Sequence, residues 1–218
     1  MLPTPKRQEI DHRTIKLVVG VIATSLAGLT SLFAQSRIAS ISASYYEGGW
    51  SQSIFIGFLF AIAAFLLAYN GQSRGEMVLS KVASVAALGV ALFPCKCEVH
   101  TELVPYVHGV SAAVMFVVLA CMCHGFYRRA RDKGHAQANA RATVYAVCGL
   151  AIVLSIVVLA LDNFTGGSIR ALVPRLTYYG ETTGLVAFGI SWLTASRVLP
   201  VLTRGDERFS PLRERNPV

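Results

Sequence analysis

Six apolar stretches, each near the ~20 residues a helix needs to cross ~30 Å of hydrocarbon, take up most of this chain. They cover residues 14–35, 51–70, 77–93, 105–127, 142–161 and 177–199. Inside a bilayer every backbone N–H and C=O must find a partner within the protein, so such stretches are helices. The fold expected is an all-α, polytopic membrane bundle of six transmembrane helices. Residues 1–13 form a lead, 14–199 the transmembrane domain and 200–218 a tail, and short connections leave no room for a further soluble domain. The 54% hydrophobic content, 15% charge and mean hydropathy of +0.53 are those of a membrane protein. A cleaved signal peptide competes for the first block, but that block exceeds a usual signal core, and Leu32 stands where cleavage wants a small residue.

The punctuation agrees with these limits. Asn70-Gly71 ends the second block, Pro94 stops the third because proline has no amide hydrogen to donate, and Pro200 follows the sixth. Pro105 suits the first turn of the fourth helix. With the N-terminus in the cytoplasm, sixteen lysines and arginines fall on the inner side and four (Arg37, Lys96, Arg170, Arg175) on the outer. The positive-inside rule then places both termini in the cytoplasm. The net charge of +8 therefore reads as topology and contact with anionic lipid, from the Arg128 to Arg141 loop and the Arg204 to Arg215 tail, and nucleic acid is excluded as a partner.

Small residues recur every four positions: Gly20, Thr24 and Gly28; Ala83, Ala87 and Ala91; Gly180 and Gly184. Such rows let helix backbones approach within one bundle. No internal repeat of the kind built into many transporters stands out. Cys121, Cys123 and Cys148 read as packing, and His124 as a wetted interfacial side chain.

Polar groups gather on the outer side. At ~1.5 Å per residue, His108 in the fourth helix and Glu181 in the sixth lie at a similar depth, with Asp162 closing the fifth. Ionisable groups inside spanning segments are costly and persist when paired or wetted. One reading is an outward-facing pocket for a lipid headgroup or small ligand. In it Glu181 accepts a hydrogen bond from His108 or pairs with Arg175 or Arg170, and Tyr45, Tyr46, Tyr178 and Tyr179 form the rim. The bland reading makes these headgroup-level anchors and an ordinary aromatic belt.

Cys95, Cys97, His100 and His108 are a ligand set that suits zinc or copper(I), with Glu98, Glu102, Asp162 and Glu181 able to complete or orient a shell. A membrane-embedded metal-dependent hydrolase with Glu181 or Asp162 as general base would follow. Alternatively, Cys95 and Cys97 form a disulfide in an oxidising compartment, or act as a thiol redox pair, or stay inert. No Gly-x-Ser-x-Gly elbow, His-Glu-x-x-His, phosphate-binding loop or dinucleotide fingerprint occurs.

Ser-Ile-Ser-Ala-Ser-Tyr-Tyr after the first helix, Ala-Leu-Phe-Pro closing the third, His108-Gly-Val-Ser-Ala-Ala opening the fourth and the run from Glu181 to Trp192 resemble an uncharacterised six-pass bacterial family, a domain of unknown function. That resemblance implies an inner-membrane, six-helix protein over essentially the whole chain and supplies no activity. More remotely, the layout is similar to the Frag and damage-regulated autophagy modulator type of membrane proteins, some of which handle lipid. Alkaline ceramidases hold zinc with three histidines, two of them a close pair on a late helix, and the sixth block here departs from that pattern in having none.

Overall fold

The computed structural model describes residues 11–97 and 100–210. Six long helices dominate it: α1 (His12–Phe33), α3 (Gly49–Ala68), α4 (Arg74–Leu92), α5 (Val107–Arg131), α6 (Ala136–Phe164) and α8 (Leu176–Ala195). Two short helices sit in connections, α2 (Ser44–Glu47) and α7 (Ser168–Leu172), and 3-10 turns follow at Pro200–Leu202 and Gly205–Glu207. No strand occurs among the described residues.

Each long helix packs on the next in the chain and α8 returns to α1, which closes a ring in the order α1, α3, α4, α5, α6, α8. Neighbours run antiparallel. Ser51 at the start of α3 donates to Thr30 O near the end of α1 (2.9 Å), and Ser80 and Ser84 of α4 donate to Leu66 O and Ala63 O of α3. In a medium without water such hydroxyls satisfy themselves on a neighbouring carbonyl and tie two helices together. The two faces of the ring are thereby distinguished by its ends: one holds the start of α1 and the end of α8, hereafter the basic end, and the other holds the Cys95–Cys97 loop, the disulfide end.

The helices are apolar on the wrong side for water. On α6, Val147, Leu150, Leu154, Val157 and Leu161 are exposed along one face, whereas Arg141, Tyr145, Cys148, Ser155 and Asp162 line the buried one. A water-soluble helix shows the reverse pattern. Val78, Val82 and Val85 of α4 and Val110, Val114 and Val117 of α5 extend the aliphatic outer surface. Trp50, Tyr106, Phe164 and Tyr179 are exposed at the disulfide end, where amphipathic rings suit a headgroup layer.

Five helices (α1, α3, α4, α5, α6) are long and apolar enough to cross a membrane, which is compatible with a multi-pass membrane protein. The expected sixth, α8, is helical over 20 residues but falls outside that set. It carries polar and small residues on both faces, Thr177, Gly180, Glu181, Thr182 and Gly184 among them. It nevertheless runs the length of α1. Tyr178 Oη donates to Ala27 O (3.1 Å) near one end, and Gly189 lies against Gly20 and Thr24 near the other.

Two helix starts differ from expectation. α5 begins at Val107, not Pro105, because Tyr106 adopts a left-handed φ of 65° and its N–H goes to the Glu102 carboxylate (2.8 Å). α6 begins at Ala136, six residues before the apolar block, capped by His135 Nδ1 accepting from Ala138 N (3.2 Å). The presumed basic loop is thus mostly helix, with Arg128, Arg129 and Arg131 in the last turn of α5 and Arg141 inside α6.

Candidate functional site

At the disulfide end, the connection between α1 and α2 turns inward. Ile38, Ser40, Ile41 and Ser42 are buried, and α8 holds them from three positions on one face. Arg175 Nε donates to Ile38 O (2.9 Å), Tyr178 N to Ala39 O (3.0 Å), and the Glu181 carboxylate accepts from Ile41 N (2.5 Å) and Ser42 Oγ (2.9 Å). The i, i+3, i+6 spacing puts all three on one side of the helix. A loop whose backbone groups leave water needs partners for them, and these three residues supply them.

The second wall is the 93–106 loop. Cys95 and Cys97 are joined as a disulfide. Tyr46 Oη donates to Cys95 O (2.9 Å), and its ring stacks on His100 with centroids 3.8 Å apart. Burial pushes the Tyr46 phenol above its ordinary value, with Tyr45 and Glu102 adding to the effect. His108 is buried and its Nδ1 lies 2.7 Å from Phe93 O, so the ring donates there and ties the end of α4 to the start of α5. Glu47 accepts from Gln35 N, Ser36 N and Ser36 Oγ; the Ser36 hydroxyl and those amides hold its carboxyl below the usual range.

Of the residues expected to form an outer pocket, Glu181, Arg175 and Tyr178 come together on one loop. Tyr46, His100 and Cys95 come together on another, with Tyr45 edge-on to Tyr46 at 5.3 Å. His108 and Glu181 have separate partners and no hydrogen bond joins them. Asp162 is buried at the α6–α7 junction, where it takes Arg170 N (2.8 Å), Nε (3.1 Å) and Nη2 (2.9 Å). As for a metal, both thiols are used in the disulfide, His100 is stacked and His108 is bonded to a carbonyl. No group of three ligands capable of holding an ion occurs among the described residues. Glu98, a candidate shell residue, lies outside those residues, as do Lys6, Arg7, Arg213 and Arg215.

One cation at the disulfide end keeps an unpartnered nitrogen. The Arg175 guanidinium stacks on Tyr178 at 4.0 Å and its Nη2 has no hydrogen-bond partner. The geometry fixes the plane of the guanidinium and leaves one buried nitrogen without a partner.

The basic end holds a denser network that charge counting misses. Ser73 opens α4 with a Ser-x-x-Glu capping arrangement: its Oγ accepts from Glu76 N, and the Glu76 carboxylate reaches back to Gln72 N (2.9 Å). That carboxylate also takes Tyr69 Oη (2.6 Å) and both terminal nitrogens of Arg129 (2.9 and 3.0 Å). Glu207 in the tail gathers Lys133 (2.6 Å), Arg141 (3.2 Å) and Arg197 (3.1 Å), while its carbonyl accepts from Arg13 (3.2 Å). The Lys133 hydrogen bond, with the charges of Arg197 and Arg141, brings the Glu207 carboxyl down to about 2. Arg141 is wholly buried beneath the tail and donates to Leu202 O (2.5 Å), so it contacts the protein and no lipid. Lys16, counted for topology, is buried as well, with its Nζ 5.3 Å from the Tyr69 ring and 5.2 Å from Phe126. Lys16 lies only two residues inside its apolar block, where a basic residue reads as a topology signal.

Cys123 and Cys148 are buried, Cys123 donating to Ser191 Oγ (3.3 Å), and His124 and Cys121 are exposed on α5. No family model matches the chain, and neither do the curated proteins or the solved structures searched.

Proposed function

We propose that the chain is a six-pass protein of a bacterial inner membrane with both termini in the cytoplasm, and that its outer end binds the anionic headgroup of a membrane lipid. Support for the sixth crossing comes from α8 running antiparallel along α1 from Tyr178 and Ala27 to Gly189 and Gly20. That arrangement brings both ends of the helical ring to the basic end, and a cluster of lysine and arginine is what the cytoplasmic side retains. A place beside the Frag and damage-regulated autophagy modulator type, carried by sequence motifs alone, is part of the same proposal.

One observation carries the headgroup reading: half-buried Arg175, locked by Ile38 O and the Tyr178 ring and 5.8 Å from the ring of the exposed Tyr179, keeps a buried Nη2 without a partner. A planar guanidinium suits a phosphate or other anionic oxygen pair. Binding is favoured over the metal-dependent hydrolase because Glu181, Asp162 and His108 are each engaged in holding a loop or turn. The test is native mass spectrometry of protein released from phosphatidylglycerol-containing nanodiscs. Bound phosphatidylglycerol is expected on the native protein and on Arg204→Gln, and reduced several-fold on Arg175→Gln. Undiminished lipid on Arg175→Gln would overturn the assignment.

A further inference from the structure

The Cys95–Cys97 bridge lies where two loops meet and joins neither to a helix. Its cysteines are two residues apart, and so short a closure removes little conformational entropy from the unfolded chain, because that gain grows with the length of the loop closed. The backbone on both sides is held without the sulfurs. Tyr46 Oη donates to Cys95 O (2.9 Å) and His100 N donates to Cys97 O (2.9 Å). Opening the bridge therefore leaves both carbonyls anchored and both thiols close together, as a reversible couple requires.

The two sulfurs differ in their surroundings. Cys95 is buried, whereas Cys97 is half-buried and follows the exposed Lys96. Cys97 Sγ also lies 3.7 Å from Ser40 Oγ, which accepts from Ala43 N and keeps its own proton to give to the sulfur. A hydroxyl donor and a neighbouring ammonium both favour thiolate charge on Cys97. Accessible disulfides are the labile ones, and catalytic or regulatory bridges are drawn from them.

We propose that Cys95 and Cys97 are a redox-active pair that exchanges with thiols reaching the disulfide end, Cys97 being the sulfur that exchanges and Cys95 the one that resolves. A partner thiolate attacks Cys97 Sγ and forms a new S–S bond with it. The Cys95–Cys97 bond breaks, and its electron pair leaves on Cys95 Sγ, which takes a proton from water. A second partner thiolate, from the same molecule or another, then attacks the partner sulfur and frees Cys97, which is protonated in turn. In total two partner thiols lose two electrons and two protons to become one disulfide, and Cys95 and Cys97 gain them. A partner disulfide drives the reverse. This activity does not use Arg175, so failure of the headgroup reading leaves it standing.

The full-length protein in nanodiscs is equilibrated with reduced and oxidised glutathione at graded ratios, alkylated, and mapped by mass spectrometry at Cys95 and Cys97. The bridge is expected to open and close reversibly within the glutathione range, with the opened protein keeping its monodisperse peak. A bridge that stays closed at every ratio, or a protein that aggregates once it opens, would overturn the proposal. With oxidised glutathione, Cys95→Ala is expected to form a mixed disulfide at least about tenfold faster than Cys97→Ala, because thiolate character and access set the rate. Equal or inverted rates would overturn the roles given to the two sulfurs. Should either variant fail to fold, acid quenching of the native chain decides: trapped glutathione is expected on Cys97, and glutathione on Cys95 contradicts the assignment. A synthetic dithiol peptide run in parallel separates the sources, faster exchange with it pointing to a protein dithiol and faster exchange with glutathione to a small thiol.

Discussion

The contact between α1 and α8 can be tested with one methyl group. A Cβ added at Gly189 would lie 2.5 Å from Thr24 Cγ2 and 2.9 Å from both Gly20 O and Thr24 N. Two of these three are backbone atoms, which no rotamer change can clear, so the helices would have to separate by about half an ångström to restore ordinary contact. Overpacking of this kind costs about 1–3 kcal/mol. Alanine in place of glycine inside a helix returns up to about 1 kcal/mol of propensity. Gly28→Ala is the matched control, since it is also within a helix but an added Cβ there meets nothing within 4 Å. The propensity gain cancels between the two variants, and Gly189→Ala should be the less stable by the full 1–3 kcal/mol, or several degrees in thermal midpoint, about. The assay is thermal unfolding of purified protein in detergent, followed by loss of the monodisperse peak. A Gly189→Ala protein as stable as Gly28→Ala would refute the close crossing.

Three further outcomes are expected. Glu207 has a folded value of about 2 against an ordinary 4.5, so its contribution is in full force above about pH 4.5 and fades as the pH falls through 2. After allowance for solvent screening of its exposed partners it is worth roughly 1–2 kcal/mol, and Glu207→Gln should be less stable by that amount at pH 7 and show little further loss on acidification. Glu181→Ala should open the 37–43 loop to protease, and its destabilisation should add to that of His108→Ala within about 0.5 kcal/mol, because the two act on different loops; strong coupling in the double variant would contradict their separate partners. In protein lacking Cys121, Cys123 and Cys148, maleimide should label neither remaining thiol before reduction and both after; labelling without reductant would count against the disulfide.

The long helices were legible because lipid demands unbroken apolar runs, and the runs are there. The start of α6 was not, because Arg141 looks like a loop residue until the tail covers it, with Leu202 O and Glu207 as its partners. Lys16 was hidden for the same reason: a basic residue near the end of a block reads as a topology signal. Spacing identified Gly20, Thr24 and Gly28 as a row, yet Gly20 and Thr24 meet α8 and Gly28 meets open space, since a four-residue period does not say where the partner helix departs. At the disulfide end the shared depth of His108 and Glu181 was readable. Their partners were not, because Phe93 O and Ile41 N are backbone groups that leave no mark on the side-chain pattern. The Ser73 to Glu76 capping arrangement stands in the sequence as a Ser-x-x-Glu motif.

The proposed topology requires α8 to cross the membrane alongside α1, with both chain ends in the cytoplasm. Paired reporter fusions after Val173 and after Val218 measure this directly. Alkaline phosphatase is predicted to be active at the first junction and inactive at the second, with a fluorescent cytoplasmic reporter giving the opposite result. Active phosphatase at Val218, or the same sidedness at both junctions, would contradict it.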